Sequence, residues 1–315
     1  MVPALRALRE HWPTAELHVL VAEEALPILQ HIPWIHRVWG LPRVRGRMQL
    51  KRTLPLIAQL RGKCFDKSVD FVGNDRGALI SRLIGAKERL GHFQRGGFMG
   101  RNYCYTRIAR GSDHLVRADI KVLSAWGIQA PSNLRHEVRA NPELVSFARS
   151  CFPQSDTVLC HLSASMPKRE WPNERWAEIA ELGRMEGIPI LFSAGASERE
   201  HASLKKLREL VPWAHFLSAP LSLAQFLAIQ SEARVFVGSD SGPLHFATGL
   251  GVPSIGLFGP MLPEQVAPLD SRCHPIVGTK CLCDPNARNC DSSRPCLEGI
   301  SVQQLWIRIR ALYRG

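Results

Sequence analysis

The clearest candidate for chemistry is the heptapeptide SDSGPLH, which begins at Ser239 and joins a strand-like apolar run (234–238) to a helix-like run ending near residue 251. A glycine permits close backbone approach, a proline suits the first helical turn, and the amides and dipole of a helix amino terminus attract anions. The pattern therefore indicates a phosphate site, although simple capping of the helix and burial of the histidine would explain the same residues. The residues concerned are Asp240, Ser241, Gly242, Pro243 and His245.

A second polar loop begins at Ser163, where the strand-like run 156–163 ends. It carries the hydroxyl of Ser165 and the cations Lys168 and Arg169, which together suit a pyrophosphate with two negative charges. The alternative is that both cations are solvated surface charges.

A third loop, SAGASERE (193–200), places Glu198 and Glu200 near the start of a helix. A carboxylate at this position can accept two hydrogen bonds from a ribose diol, or it can merely favour the helix dipole. The loop alone does not distinguish the two glutamates.

These loops belong to a chain in which short apolar runs alternate with helical patterns. In the second half, strands are expected at 156–163, 188–194, 234–238 and 252–258, with helices between them. Such units give a parallel sheet covered by helices on both faces, and ligands bind beyond the carboxyl ends of its strands. The final run, 301–313, repeats apolar residues on one face and predicts a helix with a capping box from Ser301 and Gln304.

Composition and net charge indicate which kinds of ligand the protein can bind. The 315 residues are 45% hydrophobic and 22% charged, which is typical of a globular protein, and the net charge of +12 favours an anionic ligand or surface. The basic residues are scattered, so we expect no nucleic-acid binding. The one basic stretch, RVRGRMQLKR, carries Arg43, Arg45 and Arg47, which we expect to face an anionic acceptor or membrane surface unless they form an ordinary solvated face.

The sequence has no apolar run of about 18 residues and no signal-like start, so a cytoplasmic location is expected, with the cysteines reduced. Four of the nine cysteines follow one another as C-x-C-x6-C-x5-C. This is not the paired C-x-x-C spacing of standard zinc sites, and we therefore expect no metal, with zinc binding, loop packing and an opportunistic disulfide as alternatives. The four are Cys281, Cys283, Cys290 and Cys296.

The three loops together carry a family resemblance. The run VFVGSDSGPLHFATGLGVPSIGLFGP (235–260), preceded by HLSASMPKREWPNERWAEIA (161–180) and SAGASERE, resembles glycosyltransferase family 9, the ADP-heptose:lipopolysaccharide heptosyltransferases. The segment 69–92 matches more loosely, so the resemblance covers nearly the whole chain.

The resemblance implies an α/β fold of the GT-B type, in which two Rossmann-like domains with parallel sheets face a cleft. It implies inverting transfer of heptose from an ADP-sugar donor to the lipopolysaccharide core, with no cofactor or required metal. The SDSGPLH residues and Ser165 fall where the family binds the donor. By the same resemblance we expect Glu198 to bind the adenosine ribose, with Glu200 as the second choice. The family's lysine precedes the Trp-Pro pair by two residues, a place that Arg169 holds here, so either Lys168 or Arg169 takes that role.

Domain boundaries follow from the same comparison. We expect an acceptor-side domain at 1–140, a donor-binding domain at 141–300 and a terminal helix at 301–315 that packs back towards the first domain, all in a monomer.

Family members begin with a strand and a Gly-Asp loop whose aspartate is thought to activate the acceptor, whereas this sequence begins in the following helix. We therefore expect donor binding with little turnover, and a longer upstream start as the working enzyme. The alternatives are a non-catalytic nucleotide-sugar-binding protein and a GT-B enzyme that uses another nucleotide sugar.

Overall fold

The structure is a computed structural model that describes residues 1–44, 47–93, 97–110, 115–217, 220–284, 287–293 and 295–315. The chain divides into two compact units, Met1–Arg135 and His136–Gly315. The break lies about five residues before the domain boundary expected at residue 140.

In its described residues, unit 1 is an α/β unit with three small sheets or strand pairs. Its strands β1 and β2 are parallel, β5, β6 and β7 form a parallel sheet in that order, and β3 and β4 are an antiparallel pair. The elements are α1 Val2–His11, β1 His18–Ala22, α2 Leu26–Leu29, β2 Arg37–Leu41, β3 Arg43–Val44, β4 Arg47–Met48, α3 Leu50–Arg61, β5 Lys67–Asp70, α4 Asp75–Ile84, β6 Glu88–His92, β7 Arg107–Ala109 and α5 Leu115–Leu123.

Unit 2 contains one six-stranded sheet, in which all neighbours are parallel and the order is β10-β9-β8-β11-β12-β13. Its elements are α6 Val145–Ser150, β8 Val158–His161, α7 Asn173–Glu186, β9 Ile190–Ser193, α8 Glu198–Leu210, β10 His215–Phe216, α9 Leu223–Ser231, β11 Val235–Ser239, α10 Gly242–Leu250, β12 Ser254–Phe258, α11 Pro263–Val266, β13 Cys273–Val277 and α12 Val302–Arg314. The α/β class with parallel sheets is confirmed.

The central strands of unit 2 are uniformly apolar because both of their faces are covered. Every residue of β8, β9, β11 and β12 is buried, and α7 adds the fully buried Trp176 and Ile179. Continuous apolar runs of this kind are typical of parallel strands between two helix layers.

The carboxyl-terminal helix α12 belongs to this core. Its capping box of Ser301 and Gln304 is present as predicted, and Leu305 and Trp306 are buried in the core of unit 2. The Trp306 indole also donates to the Glu186 carboxylate at the end of α7, at 2.7 Å. Within unit 2 its apolar face packs on α7, because the apolar stripe matches the core of that unit. Packing of this helix towards the first domain stays a prediction.

The basic stretch forms the β3–β4 pair. Arg43 lies on β3 and Arg47 on β4, where the register pairs Arg43 with Met48, and Arg45 lies outside the described residues. No helix in the described part of the chain is long and apolar enough to cross a membrane.

A cavity of about 950 Å³ separates the two parallel groups of strands in unit 1. All residues of β1 and of β5 line it, and side chains of α1 and α4, including Leu5 and Ile80, cover it. Because consecutive residues of both strands face the cavity, the strands turn their backbone edges towards it. In the described residues, β1 pairs with β2 alone and β5 with β6 alone, so two edges share one gap. A single added strand could pair with both.

We predict that five to seven apolar residues added ahead of Met1, which also lines the cavity, will stabilise unit 1. Hydrogen bonds to two strand edges are worth about 0.5–1.5 kcal/mol each, so a gain of at least about 2 kcal/mol in the free energy of unfolding is expected. Urea unfolding measures it. The control extension carries proline at its central position, which cannot donate to a neighbouring strand. Equal stability of the two extended chains would show that no strand forms there.

Candidate functional site at the carboxyl edge of the unit 2 sheet

Strand order brings the three polar loops together. In the sheet, β8 lies between β9 and β11, with His161 in register with Ser193 on one side and Gly238 on the other. The loops that follow these three strands therefore leave the same edge side by side. Residues far apart in sequence become neighbours for this reason.

Arg169 and Asp240 form the centre of the site. A guanidinium nitrogen of Arg169 donates to a carboxylate oxygen of Asp240 at 2.9 Å, and both side chains are largely buried. Burial raises the pKa of Asp240 above its usual value, and the charge of Arg169 opposes that rise. The Arg169 Nε atom is buried and has no hydrogen-bond partner among the described residues. The pair therefore retains a donor for an incoming anion.

The amino terminus of α10 adds further donors. Ser241 is the cap residue, but its side chain does not cap the helix and its hydroxyl donates to the Ser239 carbonyl at 3.2 Å. Asp240 is engaged by Arg169 instead. The capping explanation of the motif is thus not what the structure shows, and Gly242 is the exposed first residue of a nine-residue helix. Helix amides and dipole together favour a phosphate at this end.

Two other predicted ligands lie on the same loops. Ser165 is exposed in the loop after β8. His245 lies in the first turn of α10, and its ring meets the edge of the His136 ring with centroids 5.4 Å apart. Neither has a contact that assigns it to a donor, so both roles remain predictions.

Lys168 points away from Arg169 despite being adjacent in sequence. Its side chain is buried, its ammonium donates to the Asp284 carbonyl, and it lies 3.8 Å from the Cys283 sulfur. Of the two cations considered for the phosphate, Arg169 is therefore the one at the α10 terminus. A phosphate contact by Lys168 remains a prediction.

The two glutamates of the third loop differ in their surroundings. Glu198 is the exposed first residue of α8, whereas Glu200 completes a capping box with Ser197 and receives its amide at 3.1 Å. Burial alone would raise the pKa of Glu200, but hydrogen bonds from Ser197 and Ser163 lower it below its usual value. Glu200 is thus committed to the helix start, which leaves Glu198 as the exposed carboxylate on that loop.

A buried polar network that the sequence did not reveal lies beneath these loops. His161 contacts the Ser193 hydroxyl at 2.9 Å through Nδ1 and the Ser163 hydroxyl at 3.3 Å through Nε2. Ser163 in turn accepts the amide of Gly195 at 2.7 Å, which ties the loop after β8 to the loop after β9. Burial lowers the pKa of His161 to about 4, so the imidazole is neutral near pH 7.

A second set of contacts that the sequence did not reveal holds the loop after β8 in place. The Glu170 carboxylate accepts the Ala164 amide at 2.9 Å and a guanidinium nitrogen of Arg199 at 2.7 Å. Arg199 also donates to the Ala164 carbonyl. The adjacent charges of Lys168, Arg169 and Glu170 were the available signal, but sequence alone does not say which of them turns inward.

Comparison with known proteins identifies the family of the chain. The profile of glycosyltransferase family 9 (heptosyltransferase) matches residues 53–296, which is more than half of the chain. The chain belongs to glycosyltransferase family 9. The matched segment includes the loops after β8, β9 and β11.

Individual relatives are distant in sequence and close in fold. Lipopolysaccharide heptosyltransferase 3 of Escherichia coli is 21% identical over 270 residues, which cover 82% of this chain and 78% of the relative. A family 9 glycosyltransferase from Veillonella parvula superimposes with a TM-score of 0.82 at 18% identity, over 99% of this chain and 92% of that one. E. coli ADP-heptose lipopolysaccharide heptosyltransferase II does so with 0.79 at 20%, over 99% and 93%. The fold is therefore that of GT-B heptosyltransferases.

For this family 9 glycosyltransferase, we predict that Arg169→Ala weakens ADP binding by about 1.5–3 kcal/mol, because a charge-assisted contact to phosphate is lost. Lys168→Ala should weaken it less than tenfold, since its ammonium is directed to Asp284. Calorimetric titration of ADP measures both, with Arg184→Ala on the exposed face of α7 as the charge-matched control. An unchanged affinity in Arg169→Ala would remove Arg169 from the donor site.

The low pKa of His161 predicts a pH-dependent stability. The unfolded chain protonates this histidine near pH 6.5 and the folded chain near pH 4, so the folded state binds fewer protons between these values. The contribution to stability is complete above pH 6.5 and is lost as pH falls towards 4, by up to about 3 kcal/mol. Urea unfolding from pH 7 to 4 should show a flatter profile for His161→Gln. A parallel profile would mean that His161 is not buried in its neutral form. His215→Gln at an exposed position is the control.

Proposed function

We propose that this protein transfers heptose from ADP-heptose to the inner core of lipopolysaccharide, with inversion at the anomeric carbon. Two features support the proposal. The buried Nε of Arg169 has no partner among the described residues, and no side chain caps the amino terminus of α10. Arg169 contacts Asp240, which comes just before this terminus, and a guanidinium beside helix amides suits the pyrophosphate of a nucleotide sugar. Family membership supports the heptosyl class of transfer.

Unit 2 is the proposed donor domain. Arg169 and the Gly242 amide hold the pyrophosphate, Ser165 and His245 lie within the same pair of loops, and Glu198 is the proposed ligand of the adenosine ribose. As the bond from the anomeric carbon to the pyrophosphate oxygen breaks, negative charge grows on the leaving ADP. Fixed donors beside that oxygen stabilise the developing charge more than they stabilise the ground state.

A general base for the acceptor hydroxyl is not among the proposed donor ligands. Asp240 is paired with Arg169, and Asp75 accepts the Phe98 amide at 3.2 Å and faces the buried Arg101 at 3.3 Å. Asp113, a third candidate, lies outside the described residues. Within the described residues, an arginine therefore occupies the carboxylate of each of these two acids, which would otherwise take the proton.

A second candidate function is donor binding without efficient transfer. The observation that favours it is the cavity between β1 and β5. Rossmann-like sheets place reactive groups at the carboxyl ends of their inner strands, and no described strand lies between β1 and β5. At the end of β5, Asp70 accepts the Tyr105 hydroxyl at 2.7 Å and the Val72 amide at 2.9 Å, so its carboxylate holds a turn.

Unit 1 is the proposed acceptor-side domain, with the basic stretch directed at the anionic core or an anionic lipid surface. Support comes from α3, where Leu50 and Leu54 are about 60% exposed beside Lys51. Apolar side chains among cations suit a headgroup boundary, where each cation contributes about 1 kcal/mol.

Purified protein tests the donor and the reaction separately. ADP should raise the melting temperature more than UDP, because an ADP concentration of 100 times Kd stabilises a protein by about 2.7 kcal/mol. Incubation with ADP-heptose and isolated heptose-deficient core should then release ADP and extend the core by one heptose. Stabilisation by ADP without transfer would select the binding protein, and a preference for UDP would select another donor and contradict the proposal.

A further inference from the structure

The cysteine-rich segment between β13 and α12 forms a thiol cluster that the donor site does not use. It comprises Cys281, Cys283, Cys290 and Cys296, all free thiols. The Sγ atoms of Cys281 and Cys283 lie 3.2 Å apart, and the Cys281 thiol also hydrogen-bonds to Cys296. Cys290 lies six residues before Cys296 in the same segment. Cys281 is thus close to two of the other three cysteines, and Cys290 belongs to the same loop.

The backbone brings the ends of this segment together. The Thr279 amide donates to the Cys296 carbonyl at 3.0 Å, and the Gly278 amide donates to the Phe258 carbonyl at 2.9 Å. A Cβ at Gly278 would lie 2.0 Å from the Cys296 carbonyl oxygen, so only glycine allows this approach. The bond closes the base of a loop and sets Cys281 beside the buried Cys296.

The loop that this bond closes has little else to order it. Between Gly278 and Pro295, the described residues form no helix or strand, and Leu282 is 80% exposed. A long irregular loop without apolar side chains in the core needs another source of order, and a metal ion bound by several thiolates is one.

Lys168 supplies an independent indication of charge in this cluster. Its side chain is 7% exposed, and its ammonium contacts the Asp284 carbonyl and the Cys283 sulfur. The carboxylates of Asp240 and Glu170 pair with Arg169 and Arg199, and among the described residues no ion pair of Lys168 is found. Burying an ammonium without a counter-charge is costly, whereas four thiolates around a divalent ion carry a net charge of −2 that the ammonium would offset.

We propose that Cys281, Cys283, Cys290 and Cys296 bind one thiophilic divalent ion of the zinc class, with Lys168 as the neighbouring cation that compensates the charge. Four thiols lose four protons as four metal–sulfur bonds form, and no electrons are transferred. Tetrathiolate coordination selects zinc or ferrous iron over magnesium or calcium. The site is structural, because four protein ligands leave no open position for substrate.

Binding requires a modest adjustment. A tetrahedral site with bonds of about 2.3 Å places its sulfurs about 3.8 Å apart, so Cys281 and Cys283 must separate slightly. Among the described residues, no three of these sulfurs all lie within 4.8 Å of one another, so Cys283 and Cys290 must also turn inward. Both residues lie outside helices and strands, where rotamer and loop changes cost least.

A second group of possible ligands, Glu16, His18 and His36, does come within that distance. The Trp39 indole donates to His18 Nδ1 at 3.1 Å, so a neutral His18 carries its proton on Nε2, the atom that faces Glu16 at 3.5 Å. Burial, reinforced by His36, lowers the pKa of His18 and favours this neutral form. A protonated nitrogen cannot bind a metal, so this group is a hydrogen-bonded cluster.

The test is metal analysis of the full chain, expressed with zinc and iron in the medium and purified without oxygen. About one ion per chain should survive gel filtration, and cobalt substitution should give the intense near-ultraviolet absorption of cobalt–thiolate bonds. Cys290→Ser and Cys281→Ser should lose the ion, while Cys151→Ser, a thiol elsewhere in unit 2, keeps it. Lys168→Met should weaken metal binding by about 10–100-fold.

Three outcomes would overturn the proposal. They are a metal-free chain whose four thiols react with a thiol reagent as fast as the exposed Cys64, equal metal content in Cys290→Ser and the unmodified chain, and a disulfide between Cys281 and Cys283 in freshly isolated protein. None of these measurements depends on glycosyl transfer, so failure here leaves the proposed function untouched.

Discussion

The parallel pairing of β8 with both β9 and β11 is the constraint on which the site depends. Parallel neighbours end at the same sheet edge, so three loops separated by up to 80 residues leave it together. His161 lies at the end of the shared strand, and its contacts to Ser193 and Ser163 hold two of those loops from below. A neutral imidazole suits this place because it can donate through one nitrogen and accept through the other without burying a charge.

The ion pair of Arg169 and Asp240 is not fully compensated and leaves a hydrogen-bond donor for a ligand. Burial outweighs the attraction of Arg169 in setting the pKa of Asp240, so the pair alone does not fully compensate the buried carboxylate. Arg169 still has its Nε proton available. A phosphate that enters would satisfy that donor and the helix amides together, which explains why the sequence tolerates both an uncapped helix and a buried acid at this point.

The sequence predicts where the polar loops of the site lie, but it does not predict which side chains contact one another. The run expected as a strand at 234–238 is β11, Val235–Ser239, and the helix expected at 242–251 is α10, Gly242–Leu250, because their apolar runs are long and bounded by glycine and proline. Strands such as β6, ERLGH, and β13, CHPIV, escaped notice because charged residues and a proline interrupt them at partly exposed positions. The paired edges that stabilise these strands are non-local, and a single sequence does not display them.

The adjacent cations Lys168 and Arg169 make different contacts, which the structure shows and the sequence does not. Residues 167–169 form one turn of 3₁₀ helix, in which successive side chains point about 120° apart. Lys168 therefore enters the thiol cluster while Arg169 reaches Asp240, and one short turn connects the two. If the cysteine loop is ordered, Lys168 fixes the backbone from which Arg169 extends. Small displacements of a phosphate-binding side chain lower donor affinity and reaction rate. An ordered cysteine loop would therefore hold Arg169 more precisely at the donor site.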